Sequence, residues 1–143
     1  MPQLRQLAAI MFTDIVGYTA LMGEDEQKAF QLLRKNRQLQ KPIIEKFHGT
    51  WIKEIGDGVL ASFHTVSDAT MCAIEIQKAC NDIGDLKLRI GIHIGEVVFE
   101  DNDVFGDGVN IASRLQALAP IGGIWISEAV YKNVANKTKM QSM

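Results

Sequence analysis

Thr50-Trp51-Ile52-Lys53-Glu54-Ile55-Gly56-Asp57-Gly58-Val59-Leu60-Ala61-Ser62-Phe63 decides the architecture of this chain. Thr50–Ile55 and Val59–Phe63 read as strands, and Gly56-Asp57-Gly58 between them reads as a tight turn. Upstream, Leu7-Ala8-Ala9-Ile10-Met11-Phe12 is a short continuous apolar run, typical of a strand buried on both faces. Between these strands lies a helical stretch from about Glu24 to Phe47. Phe30, Leu33, Ile44 and Phe47 recur there at helical spacing, and Gly49 ends it. Pro42 lies inside the stretch and is expected to kink or divide it. Downstream, Ser67 or Asp68 is expected to cap a second helix carrying Met71, Ile74, Ala79 and Ile83. Leu88–Ile94 then alternates, with Leu88, Ile90, Ile92 and Ile94 on one face and Arg89, Gly91, His93 and Gly95 on the other. The two glycines on the second face leave room for close approach by another backbone or a ligand.

Strand, helix, strand, strand, helix, strand is the split βαβ or ferredoxin-like order. The fold class is therefore α+β, an antiparallel-rich sheet with helices packed over one face. A polar loop (Glu100–Asp103), a helix from about Gly108 to Leu118, a short strand Gly123–Ser127 and a terminal helix around Glu128–Ala135 follow. No repeat or linker divides the 143 residues, which read as one domain with a sizeable core.

Composition narrows the function. Lys+Arg 15 against Asp+Glu 17 gives a net charge of −2, which excludes a strongly basic nucleic-acid binder. Cys72 and Cys80 share one helix at a spacing that fits neither a zinc knuckle nor a disulfide framework, so they read as reduced core thiols. No apolar run reaches the roughly 20 residues of a membrane span, and no signal peptide precedes the first strand, so the chain reads as soluble and cytoplasmic.

Chemistry is concentrated where strands end. Asp14, in Phe12-Thr13-Asp14-Ile15-Val16-Gly17-Tyr18-Thr19, and Asp57 each stand where an apolar run meets a glycine-bearing turn. A carboxylate at a rigid strand edge beside free backbone N–H groups suits divalent metal and phosphate. In the helix Val109–Leu118, Ile111, Leu115 and Leu118 form a packing stripe, and Asn110 and Arg114 project together at i, i+4 on the neighbouring one. Arg114 alone reads equally as a solvated helix residue. The glycine-rich lead-in Phe105-Gly106-Asp107-Gly108 favours the functional reading.

Three segments in order, Phe12–Thr19, Lys53-Glu54-Ile55-Gly56-Asp57-Gly58 and Asp103-Val104-Phe105-Gly106-Asp107-Gly108-Val109-Asn110-Ile111-Ala112-Ser113-Arg114-Leu115, resemble the catalytic domain of class III nucleotidyl cyclases, bacterial adenylate cyclases above all. The resemblance runs from about Leu7 to Ala135. It implies conversion of ATP to 3′,5′-cyclic AMP and pyrophosphate. It also implies that Asp14 and Asp57 hold two Mg²⁺ or Mn²⁺ ions, with the Ile15 carbonyl adding a ligand. The N–H groups of Val16, Gly17 and Tyr18 would hold phosphate oxygens. Arg114 matches a transition-state arginine and Asn110 a ribose-positioning asparagine. Lys53 and Asp103 match a pair that reads adenine N1 and its 6-amino group, contacts that guanine would mismatch; Asp101 is a second carboxylate in the same loop. The resemblance further implies a head-to-tail homodimer, with Asp14 and Asp57 of one subunit facing Lys53, Asp103, Asn110 and Arg114 of the other. Activity per subunit is then expected to fall on dilution.

The family continues into further strands, one bearing a lysine that grips the triphosphate, and no residue here matches it. Lys137 and Lys139 read as cations of a frayed terminus. Loss of that contact is expected to cost about 2–4 kcal/mol, roughly 30- to 1000-fold in rate. A catalytically weak nucleotide-binding or dimerisation module, or a fragment of a longer cyclase, is therefore the alternative; a guanylate cyclase or another palm-like nucleotidyltransferase is the third reading. Other residues read more plainly. His48, His64 and His93 lack ligand spacing, Trp51 and Trp125 read as strand packing, and Arg34-Lys35-Asn36-Arg37 reads as a solvated helix face. Ser113 and Ser127 have no His/Asp partner pattern.

Overall fold

The computed structural model describes residues 4–142, with side chains over 5–135. Chain order is β1 (Leu4–Ile15), α1 (Tyr18–Glu24), α2 (Glu26–Lys46), β2 (Thr50–Ile55), β3 (Gly58–Phe63), α3 (Val66–Ile83), β4 (Leu88–Glu100), β5 (Asp103–Phe105), α4 (Asp107–Leu118), β6 (Ile124–Ile126) and α5 (Glu128–Ser142). The sheet runs β2-β3-β1-β4-β5, all antiparallel, and β6 joins β4 in parallel. This is the α+β, split βαβ arrangement expected from the order of elements.

Strand alternation sends side chains to opposite faces of the sheet, and each face has its own core. Ala9, Met11, Val59, Ala61, Phe63, Leu88, Ile90 and Ile92 pack against α2 and α3. Ala8, Ile10, Leu60 and Val97 pack with Ala112 of α4 on the reverse face. The first two long helices thus cover one face, as expected, and the added helix α4 covers part of the other. Gly91 permits this: a Cβ there would stand 2.3 Å from the backbone nitrogen of Gln116 and 2.5 Å from the carbonyl oxygen of Ala112. The close approach expected of Gly91 is therefore made by the α4 backbone.

Several local expectations are corrected. The helical stretch is not divided at Pro42; α2 runs through it to Lys46. The break comes at Asp25, whose side chain accepts from the Lys28 N–H and so starts a new helix there. α3 is capped by Thr65, which accepts from Asp68 N–H, not by Ser67 or Asp68. Its buried face is Ala69, Cys72, Ala73, Ile76 and Cys80, while Met71, Ile74 and Ile83 lie exposed. Small residues win the inner face because they let the helix sit close to the sheet. Both cysteines are free and buried, as read from their spacing. The loop expected at Glu100–Asp103 is a two-residue hairpin turn, Asp101 and Asn102 at φ 52° and 62°. It opens the strand β5, too short for periodicity to reveal.

Candidate active site

β1 delivers Asp14 on the α4 face of the sheet, the face Ala8 and Ile10 also serve. The β2–β3 turn delivers Asp57, whose Oδ2 accepts the Ile15 N–H at 3.1 Å. This bond pins the turn to the end of β1 and brings the two carboxyl groups into contact. Burial first, then a hydrogen bond and the charge of Asp57, push the Asp14 carboxyl up to about 7; Gln116 and Arg89 pull the other way. Gln116 Nε2 donates to Asp14 Oδ2 at 3.2 Å. The other oxygen, Asp14 Oδ1, is buried without a partner. A carboxylate pair with an orphaned, buried oxygen is a poor end state for a protein and a good ligand set for a hard cation. The residues therefore fit a divalent ion, although the described residues contain no cluster of three or more His, Cys, Asp or Glu able to hold one.

At the end of β1, Gly17 takes the left-handed conformation (φ 80°) and caps α1. The backbone N–H groups of Gly17 and Tyr18 have no acceptor among the described residues. The Val16 N–H does: it donates to the Lys87 carbonyl at 2.8 Å. Of the three N–H groups expected to hold phosphate, two are therefore open within the subunit, Val16 being drawn into the β1–β4 edge.

Lys53 and Asp103 meet directly, Nζ to Oδ2 at 2.9 Å, with side chains 41% and 27% exposed. The register of β2 shifts between Trp51 and Lys53, so that Lys53 pairs with Leu60 instead of Val59. Leu60 faces the α4 side and Val59 the α2/α3 side. A bulge has therefore re-aimed the lysine from the α2/α3 side of the sheet to the α4 side. Asp103 Oδ1 also accepts the Val104 N–H at 2.7 Å, and the Lys53 hydrogen bond chiefly holds its carboxyl below the usual carboxylate range. The neighbouring Asp101 stands in the turn, exposed and unbonded to Lys53.

Asn110 and Arg114 both lie exposed on α4 and take no hydrogen bond or ion pair among the described residues. They share a helix with Gln116, which faces inward, so the same helix presents one surface to Asp14 and another to solvent. The glycines that open α4 have a packing role: a Cβ on Gly108, in the first turn of the helix, would press on Val97 Cγ1 at 3.1 Å. The side chains of Lys137 and Lys139 lie outside the described residues. His93 packs beside Gly95 and Gly108, and burial lowers its pKa, consistent with a neutral structural imidazole.

Two features escaped the sequence reading. One is Gln116, which touches a site carboxylate. The other is a buried polar group behind the site: Gln40 Nε2 lies 3.0 Å from Thr13 Oγ1 and 2.6 Å from Asn36 Oδ1, with all three residues at most 1% exposed. Asn36 and Gln40 stand at i, i+4 on α2, and that spacing was the available signal.

The chain is 38% identical over 142 residues to "Putative adenylate cyclase 3" of Rhizobium meliloti (strain 1021), covering 94% of this chain and 24% of that protein. It is 30% identical over 123 residues to an adenylate cyclase of Streptomyces coelicolor, covering 85% of this chain and 32% of the relative. The chain therefore spans about a quarter to a third of the length of these relatives. Its fold superposes on an adenylate/guanylate cyclase/hydrolase from Silicibacter pomeroyi with TM-score 0.88 at 37% identity, covering 95% of this chain and 84% of that one. The adenylyl cyclase CyaB from P. aeruginosa shares the fold at TM-score 0.86 and 24% identity, covering 95% and 84% of the two chains. Residues 2–142 match the family described as the adenylate and guanylate cyclase catalytic domain, and the chain belongs to that class III nucleotidyl cyclase family.

Proposed function

We propose that this domain converts ATP to 3′,5′-cyclic AMP and pyrophosphate in a homodimer whose two sites are each shared between subunits. The observation that carries the reading is the Asp14–Asp57 pair, with its buried and unpartnered Oδ1. Asp14, Asp57 and the Ile15 carbonyl would hold Mg²⁺ or Mn²⁺, two ions per site, which supply Lewis acidity toward the ribose 3′-hydroxyl and the phosphate oxygens. In the reaction the 3′-oxygen bonds to the α-phosphorus, the bond from that phosphorus to the β-phosphate bridge oxygen breaks and pyrophosphate leaves, and the 3′-hydroxyl proton passes to solvent water.

The chain's own residues divide the remaining work. Gly17 and Tyr18 N–H groups hold phosphate oxygens, being the donors left open at the head of α1. Asn110 orients the ribose, and Arg114 spreads its guanidinium over the charge that develops at the α-phosphate. Both are solvent-facing and unpaired among the described residues, and so are free to reach a site on a neighbouring subunit.

Lys53 and Asp103 read the base. In the free subunit they satisfy one another at 2.9 Å; with adenine the ammonium donates to N1 and the carboxylate accepts from the 6-amino group. Guanine reverses both positions and leaves both groups mismatched, which disfavours it strongly. The test is cyclic nucleotide formation from ATP and from GTP with Mn²⁺, with Asp57→Ala as control. Cyclic AMP that vanishes in Asp57→Ala supports the reading. None from a verified dimer overturns it, and equal use of GTP overturns the assignment of the base.

A further inference from the structure

We infer that Gln116 is a positioning residue for the metal-binding half of the site, fixing which oxygen of Asp14 is offered to the cation. This rests on the assignment of Asp14 and Asp57 as metal ligands. Gln116 is only 5% exposed, where α4 rests on Gly91 of β4. A primary amide buried in a helix–sheet contact is unfavourable unless it makes a specific bond. The bond it makes is to Asp14 Oδ2, at 3.2 Å and 102 residues distant in sequence. With Oδ2 engaged, the carboxylate's remaining oxygen is Oδ1, and that is the buried atom left without a partner.

The chemistry of the residue type fits this job. An amide donates a hydrogen bond without cancelling charge, so Asp14 and Asp57 keep their full negative charge for a cation. A lysine or arginine at the same place would neutralise the pair and compete with the ion. A glutamate would offer no proton to an ionised partner. The amide's position is fixed as well: a Cβ on Gly91 would lie 2.3 Å from the Gln116 nitrogen and 2.9 Å from its Cα, so α4 rests on the bare backbone of β4 at this residue. Outer partners that orient ligating carboxylates typically contribute 10- to 100-fold to metal affinity.

The experiment uses Gln116→Met, which keeps the length and removes the donor, and Gln116→Asn, whose amide falls one methylene short. Mn²⁺ binding to the nucleotide-free protein is followed by the loss of the free-ion EPR signal, with Asp14→Asn as reference. Parallel assays separate the Mn²⁺ concentration at half-maximal turnover from kcat at saturating Mn²⁺. Mn²⁺ binding should weaken about 10- to 100-fold in both variants, with a matching shift in the half-maximal concentration and kcat at saturation within about threefold of the parent. Two results overturn this role for Gln116: a folded variant that binds Mn²⁺ within twofold of the parent, or one that loses kcat with unchanged metal binding. If Asp14→Asn itself binds Mn²⁺ like the parent, the metal assignment falls instead.

Discussion

Asp14 bears its charge in a setting that resists it. Its carboxyl is pushed up to about 7 from 3.8, by burial first and then by Asp57. A raised folded-state pKa means that the folded protein holds this proton more tightly than the unfolded chain. The associated stability is complete below about 3.8 and is lost as pH rises through about 7. Metal-free protein should therefore lose thermal stability between pH 4 and pH 7, and divalent cation should restore it. Asp14→Asn, which cannot ionise, should melt higher than the parent at pH 8 in chelator while losing all Mn²⁺-dependent turnover; an equal or lower Tm would contradict this account of the site. At the same scale, Lys53→Met should reduce the preference for ATP over GTP by at least about tenfold, measured as the ratio of kcat/KM, because the N1 contact is lost. Asp14 and Asp57 stood out in the sequence because each sits where a strand meets a turn, whereas Lys53 and Asp103 stood out only as positions of the family's motifs. Gln116 did not: a single glutamine on an amphipathic helix has no pattern, and its partner lies a hundred positions away. The bond from the Val16 N–H to the Lys87 carbonyl was hidden for a similar reason, since its acceptor comes from a distant part of the chain.

Among the elements, α4 touches Asp14 with one face and presents Asn110 and Arg114 on another, so the proposed function leans on it most. Its seat is Gly91. Gly91→Ala places a methyl carbon where backbone atoms already stand, so α4 must shift outward. Overpacking of this kind costs about 1–3 kcal/mol, to be read from denaturant midpoints, and kcat should fall more than tenfold because three site residues move together. Wild-type turnover in Gly91→Ala would contradict that coupling. On the opposite face, α2 holds Thr13, the residue before Asp14, through Gln40 and Asn36. Gln40→Leu strands both partners in the core and should cost about 2 kcal/mol by urea titration, leaving the m-value unchanged. Element type was readable from periodicity almost throughout. What periodicity missed were the strand β5, three residues long, and the inner face of α3, where alanine and cysteine outcompete larger apolar residues. Pro42 was misjudged because packing of α2 on the sheet outweighs the one backbone bond a proline removes.

At the scale of the whole molecule, the proposed function divides one chain into two half-sites. Asp14 and Asp57 would form one half; Lys53, Asp103, Asn110 and Arg114 would form the other. The order of strands and helices was evident from the sequence because the central hairpin and the alternation of β4 admit few arrangements. The wrapping of α4 onto the reverse face was not, since nothing in its apolar stripe says which side of the sheet it meets. Among the described residues no helix is long and apolar enough to cross a membrane. If the halves combine across a dimer, specific activity must fall on dilution, following the dimer fraction measured by sedimentation.

Mixing two dead variants tests that arrangement and the chemistry together. Asp57→Ala removes the metal half, and Arg114→Ala removes the transition-state half. Each variant alone should form no measurable cyclic AMP from Mn²⁺-ATP. Mixed in equal amounts and allowed to exchange subunits, half the dimers are heterodimers, and each contains one intact site. About a quarter of the parent's activity should return. No recovery, with subunit exchange confirmed, would contradict a catalytic site shared between two copies of this chain.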